Sequence, residues 1–433
     1  MKRSLEKYRE IVGKKAINEL YSLSENLKDR RILMVNSTAR GGGVAEILKS
    51  LVPLMNELGI KTKWLVLEGD GVFFRTTKKF HNSLQGEPDE NIINEIKNYQ
   101  NFYRDKLENL NPEIIDYLKN TNHSDIIVIH DPQPLGLIKY RKENGSKWIW
   151  RFHLDLSNPH KELWGFVENL ANRYDKIIVS KEDFIKGNKE KYKIICPSID
   201  VFSDINKEIS DEEIKNILEE KNIPTDKPII CQVGRLDKWK NPIGVIKAYR
   251  LVKKDIDCRL VFVYNGSKDD PEGEVMHDKL LNVIEEYGDK EIHLVKGDDP
   301  LVVNTMQRVS SVVLQKSIKE GFALTVSEAL WKATPVIGTN VGGIPLQIEH
   351  GKNGFLVELN ENEEEHIKET ANLIKELLTN KEKAEKMGLA GREIVKNNFL
   401  ITRHLKEYLE LFSELTEKEQ TPLPLIHKTP QKE

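Results

Sequence analysis

The chain has 433 residues and only three cysteines, Cys196, Cys231 and Cys258. They form no CxxC pair and leave one over, which argues against a disulfide framework and against a structural zinc site. Long apolar runs are missing too. None approaches the ~18 residues that a membrane-spanning helix requires. The opening stretch, MKRSLEKYREIVGKKAINEL, is charged every few residues and lacks the apolar centre of a signal peptide. An excess of one charge is also lacking. Lys plus Arg number 66 and Asp plus Glu 69, a net charge of -3. Such a chain is not built around a polyanion, so no nucleic-acid partner is expected. No membrane partner is expected either, and the cytoplasm is the expected compartment. The 39% hydrophobic and 31% charged residues that remain suit a folded, well-hydrated protein.

Short apolar runs alternate with longer stretches of helical period. ILMVN (32–36), WLVL (64–67), IIVIH (126–130), WIWRF (148–152) and KIIVS (176–180) are predicted strands. VAEILKSLVPLMNELG (44–59) is typical of the helices between them. Continuous apolar strands in this rhythm imply a parallel sheet covered on both faces. The rhythm stops over the polar stretch 196–211, which reads as a linker. A second series follows at PIICQV (228–233), RLVFVY (259–264), IHLV (292–295), SVVLQ (311–315) and PVIG (335–338). The expected organisation is α/β, with two doubly wound Rossmann-like domains facing each other across a cleft. Residues 1–203, with a helical lead-in over the first 29, form the first domain and 204–398 the second. A helix over 399–415 could pack on either, and 416–433 reads as a flexible tail.

Three motifs carry chemistry. NSTARGGGVAEIL (36–48) follows a strand and opens a helix. Gly41, Gly42 and Gly43 put no Cβ in the way of a ligand, and the free N–H groups of a helix N-terminus favour phosphate. VGRLDKWKN (233–241) sets Arg235 and Lys240 after a strand, at the sheet end where α/β ligands bind. A guanidinium and an ammonium there can both reach a diphosphate. KEGFALTVSEAL (319–330) holds Glu320 in a loop and Glu328 two turns into a helix. Ionised carboxylates only accept hydrogen bonds, so they match polyhydroxyl ligands. His153 ends a strand. On its own it reads as a hydrogen-bonded structural residue, as do His81 and His130. His153 and Asp155 are two ligands, too few for a metal. Trp148, Trp150, Phe152 and Trp331 read as core rather than as a sugar platform.

KEGFALTVSEAL resembles the E-x7-E signature of the retaining glycosyltransferases of family 4, and GRLDKWKN resembles their phosphate-binding strand end. The resemblance spans roughly residues 30–415. In the first half, NSTARGGGVAEIL, KKFHNSLQG (78–86), IHDPQPLGLI (129–138) and WIWRFHLDLSNP (148–159) resemble the trehalose glycosyltransferring synthases. That family has the GT-B fold and binds the nucleotide-sugar donor mainly in its C-terminal domain. The resemblance implies that Arg235 and Lys240 hold the donor diphosphate. Glu320 would face the donor hexose, with the backbone N–H groups near Gly321 and Phe322 beside it. Glu328 would bind the ribose, and Gly42 and Gly43 would lie over the phosphates. His153 would sit near the reacting sugar, and Asp131 among the acceptor contacts. Two departures are Lys319, where arginine is familiar, and Ala323, where glycine is familiar.

The expected reaction is hexose transfer from a nucleoside-diphosphate sugar to a small soluble acceptor, with the anomeric configuration retained by front-face attack. Trehalose synthesis from activated glucose and glucose leads. Mannosyl transfer from GDP-mannose to glucosylglycerate or its 3-phosphate is the alternative, with Arg40, Lys78 or Lys79 to meet the acceptor's charge. Other classes are a GT-B epimerase, a phosphorylase, and a nucleotide-sugar sensor that has lost catalysis. A pyridoxal-phosphate phosphorylase would need a lysine motif that is not found. No Asp-x-Asp stands at a strand end, so no metal is expected in the site and no cofactor is required, Mg2+ serving at most as a modest activator. The nucleotide base and the oligomeric state stay open, a homodimer included.

Overall fold

The computed structural model describes residues 4–265, 272–360 and 362–417. Among these no helix is long and apolar enough to cross a membrane. The expected tail lies almost wholly outside the described residues.

One sheet contains β1 (Arg31–Asn36), β2 (Lys61–Val66), β3 (Asp125–His130), β4 (Lys147–Arg151), β5 (Lys176–Val179) and β6 (Tyr192–Ile194). The other contains β7 (Ile229–Val233), β8 (Arg259–Tyr264), β9 (Ile292–Lys296), β10 (Val312–Gln315), β11 (Val336–Thr339) and β12 (Gly354–Val357). Their orders are β2-β1-β3-β4-β5-β6 and β12-β11-β10-β7-β8-β9, and the pairings are parallel. Helices cover both faces, which is why the strand DIIVIH is buried at every residue. In β4, Ile149 enters one core layer while Trp148 and Trp150 enter the other. Trp148, Trp150, Phe152 and Trp331 are all buried, as a packing role requires.

Each sheet reverses its winding once, between β1 and β3 and between β7 and β10. Loops on either side of such a reversal turn away from each other and leave a crevice at the strands' carboxyl ends. The glycine, Arg-Lys and Glu-Glu motifs all follow strands at these two points.

The lead-in is a 3-10 turn, Leu5–Tyr8, and the helix α1 (Arg9–Glu25), broken where Gly13 takes φ +84°. Tyr8 donates its hydroxyl hydrogen to Asp200 Oδ1 at 2.6 Å, and Ser50 donates to Asp200 Oδ2 at 2.9 Å. Asp200 lies in the stretch read as a linker, which is irregular but tied down. Ile199 N–H donates to the Phe399 carbonyl at 2.8 Å, and Ile401 N–H returns a bond to the Ile199 carbonyl at 2.9 Å. The two chain crossings between the sheets therefore lie side by side. After the second crossing, the helix Ile401–Glu417 packs on the first domain. Its Leu405, Leu409 and Phe412 share a core with Ile17 and Leu20 of α1 and with Leu48 and Leu51 of α2 (Gly43–Glu57).

Candidate functional site

The carboxyl ends of the two sheets line a cleft of about 570 Å³. On the first domain's wall, the turn after β1 carries Gly41 at φ +72° and Gly42 at φ +85°, a backbone that glycine adopts without strain. α2 starts at the next residue, so its N-terminus opens on the cleft. A Cβ on Gly43 would lie 2.7 Å from Leu324 Cδ1 of the opposite domain, so the two walls touch here.

Asp131 follows β3 in the left-handed region, at φ +65°, unusual for a residue other than glycine. Three bonds hold it there. Its N–H donates to the Arg151 carbonyl at 2.8 Å, its carbonyl accepts from Trp150 Nε1 at 3.0 Å, and its Oδ1 accepts from His153 N–H at 2.9 Å. Burial pushes the Asp131 carboxyl up to about 7, against the pull of the His153 N–H, Arg151 and Arg235. His153 Nε2 meets His130 Nδ1 at 3.1 Å, with the rings stacked at 16°. Burial, then the charge of Arg151, holds both imidazoles down, His130 to about 3. Both are neutral at pH 7.

On the second domain's wall, Arg235 follows β7 and pairs with Asp237 at 3.1 Å. Asp237 Oδ1 accepts the Lys240 N–H at 3.1 Å and so fixes the turn that carries Lys240. Lys240 Nζ is ion-paired with Glu320 Oε2, which also accepts from Gln315 at 3.2 Å and Ser317 at 3.1 Å. Glu328 is buried on the helix Leu324–Trp331 and accepts from Gln307 Nε2 at 3.3 Å. Burial raises its carboxyl, and the neighbouring Lys332 opposes that rise. Ala323, the N-cap of this helix, sits at φ +72°, where glycine would be at ease.

The cleft thus brings together Gly42, Gly43, Asp131, His153, Arg235, Lys240, Glu320, Phe322 and Glu328. Gly321 does not line it. A Cβ on Gly321 would lie 1.8 Å from the His153 carbonyl oxygen, so this glycine is where the two domains meet. Other contacts cross the same seam. Trp239 Nε1 donates to Asn82 Oδ1 at 3.1 Å, Lys238 pairs with Glu87, and Lys319 donates to Ser157 Oγ at 3.2 Å. His81 and His130, read from the sequence as structural, both reach the cleft wall. His81 lies in the last turn of α3 (Gly71–Leu84) and is held well below the usual imidazole range by burial and then by Arg235, Lys78 and Lys240. Asn265, Gly297 and Asp298, after β8 and β9, also line the cleft and were not expected. Their signal was position alone, since each lies within three residues of the end of a predicted strand of the second series. A Cβ on Gly297 would press on Asn265 Oδ1 at 2.6 Å. Among the described residues, no group of three His, Cys, Asp or Glu could hold a metal.

The fold and cleft define a GT-B glycosyltransferase. Residues 213–394 match the family model Glycosyl transferases group 1, and residues 34–186 match Trehalose synthase, N-terminal domain. The chain is 42% identical to a trehalose synthase of Thermococcus litoralis, over 94% of this chain and 96% of that one. It is 29% identical to a trehalose phosphorylase of Pleurotus pulmonarius, over 83% of this chain and 54% of that one. A UDP-forming α,α-trehalose-phosphate synthase from Burkholderia xenovorans shares the fold, with a TM-score of 0.67 at 13% identity, over 91% of this chain and all of that one. The chain belongs to the trehalose synthase family.

Proposed function

We propose that the protein transfers glucose from a nucleoside-diphosphate glucose to free glucose, giving an α,α-linked disaccharide with the donor's anomeric configuration retained. The observation that carries this reading is the convergence, in one cleft, of Arg235 and Lys240 with Glu320 on one wall and of Gly42, Gly43 and His153 on the other. Arg235 and Lys240 take the diphosphate, aided by N–H groups at the start of α2. Positive charge aimed at a leaving diphosphate stabilises the transition state more than the ground state. Glu320 accepts from hydroxyls of the donor hexose and Glu328 from the ribose. His153 and Asp131 face the reacting sugars from the acceptor side. The attacking hydroxyl gives its proton to the departing phosphate oxygen, on the same face of the sugar. The protein's own cations do the work that a metal would do elsewhere. Closure of the two walls keeps water from competing as acceptor.

The phosphorylase relatives favour one second reading, in which inorganic phosphate occupies the Arg235–Lys240 position and cleaves the disaccharide. A single assay in EDTA separates the two. Release of nucleoside diphosphate from activated glucose that depends on added glucose supports transfer. Glucose 1-phosphate formed from trehalose and phosphate, with activated glucose inert, supports phosphorolysis. Transfer abolished by EDTA and restored by a divalent ion would refute the metal-free mechanism.

A further inference from the structure

Arg151 ends β4 and is wholly buried. Its guanidinium makes one side-chain hydrogen bond, from Nη2 to Ser180 Oγ at 3.3 Å, and its Nε and Nη1 meet no partner among the described residues. A buried charge with unmet N–H groups is costly, and such a group calls for an explanation. Two more buried nitrogens beside it are unmet, His130 Nε2 and His404 Nε2. His130 is the register partner of Arg151 on β3, so the two side chains share a face of the sheet. The helix Ile401–Glu417, which carries His404, covers that face. Its Leu405 and Tyr408 pack in one core with Val128 and Ile149, each two residues before His130 and Arg151. Hydrogen bonds join the two sides. Ser198 Oγ meets His404 Nδ1 at 2.7 Å, and Arg403 Nη2 donates to the Cys196 carbonyl at 2.9 Å.

The proton assignment decides what this cluster wants. With Ser198 donating to His404 Nδ1, the His404 proton sits on Nε2. With His153 Nε2–H donating to His130 Nδ1, the His130 proton also sits on Nε2. The charges of Arg151 and its neighbours, after burial, hold both imidazoles below their usual range, so neither carries a second proton. All four unmet groups are then donors. A bridging water has hydrogens of its own to place, whereas an anion accepts only. Arg403 Nε is buried and unmet as well, but Glu407 balances that guanidinium's charge, and its Nη2 donates to the Cys196 and Pro197 carbonyls at 2.9 Å. Asp131 does not fill the place either: its Oδ1 accepts the His153 N–H, and its carboxyl makes no hydrogen bond to Arg151 Nε or Nη1.

We propose that Arg151, His130 and His404 bind a small monovalent inorganic anion of the halide class, buried between the first sheet and the helix Ile401–Glu417. The anion balances one guanidinium charge. By accepting from His130 Nε2–H it fixes the tautomer in which His153 donates to His130, leaving His153 Nδ1 as an acceptor for a sugar hydroxyl. Nothing in the anion's binding depends on which sugar the cleft takes.

The test is a crystal grown in sodium bromide, with data collected at the bromine absorption edge. The expected result is one anomalous peak in hydrogen-bond reach of Arg151 Nε, His130 Nε2 and His404 Nε2. Arg151→Met should lose the peak. If that variant does not fold, His404→Phe keeps the charge, removes one donor and should weaken the peak. In solution, bromide should raise the melting temperature of the wild type above its value in gluconate at equal ionic strength. The two salts should coincide for the variant. Water at the cluster instead of bromide, or a peak that survives Arg151→Met, would overturn the proposal.

Discussion

The carbonyl oxygen of His153 in the first domain occupies the place where Gly321 of the second would carry a Cβ, with a separation of 1.8 Å for the ideal atom. No side chain fits between them unless the domains part. Gly321→Ala should therefore prop the cleft open while leaving each domain folded. A shift of about 1 Å at the reacting atoms can cost ~10²-fold in rate. Steady-state kinetics should show a fall of that order in kcat, and solution scattering a larger radius of gyration. A variant with wild-type kcat would show that this contact has no part in assembling the site.

Lys240 Nζ and Glu320 Oε2 form an ion pair on the cleft wall, and in the proposed reaction the lysine turns to the diphosphate and the glutamate to the hexose. Lys240→Ala should lower kcat by ~10²-fold or more, because the cation acts on charge that develops on the leaving group. Glu320→Gln should cut transfer yet leave affinity for free nucleoside diphosphate intact or improved, since the lysine loses a competing anion. Glu328→Gln should instead weaken nucleotide binding by ~1.5–3 kcal/mol, the worth of charge-assisted hydrogen bonds. Calorimetry with the nucleoside diphosphate distinguishes these. Equal loss of affinity in both glutamate variants would contradict the division of labour.

Asp131 gives the protein a titration near neutrality. Its folded carboxyl is pushed up to about 7, well above the ~4 of an unfolded chain. Between those values the unfolded chain has lost the proton and the folded chain keeps it. Asp131's contribution to stability is therefore fully present below about pH 4 and falls as pH rises through 7. Denaturant titrations of wild type and Asp131→Asn across this range should show a difference that declines with pH and then levels off. A difference independent of pH would remove Asp131 as the titrating group.

Ala323 holds a left-handed φ of +72° at the head of the helix that carries Glu328. An L-residue there costs roughly 1–2 kcal/mol, part of which glycine gives back in chain entropy. Ala323→Gly should stabilise the protein by up to ~1 kcal/mol without weakening donor binding. A lower melting temperature would mean that the alanine methyl packs better than its backbone suffers.

Much of this site was legible in the sequence because its parts are local. Strand-turn-helix units announced the glycine loop after β1 and the Arg235–Lys240 turn after β7. What escaped notice depends on pairing across the sheet. The contact of His130 with His153 follows from the adjacency of β3 and β4, which spacing along the chain does not reveal. Arg151 ended an apolar strand and gave no sign that its charge is buried. β6 is three residues long and β12 four, and both lie at sheet edges, where neither length nor alternation marks a strand. The stretch 196–211 reads as a linker because it is polar and has no strong period, yet Tyr8 and Ser50 donate to the Asp200 carboxylate within it.

The central claim is the pairing of donor and acceptor. Its most direct test is a product screen by NMR, with UDP-, ADP- and GDP-sugars each offered to glucose, glucosylglycerate and glucosylglycerate phosphate. The spectra report sugar identity, linkage and anomeric configuration together. The account predicts α,α-trehalose from a nucleoside-diphosphate α-glucose and glucose, with no transfer to the glycerate acceptors. Transfer only to the glycerate acceptors, with glucose inert, or a β-linked product from an α-donor, would contradict it.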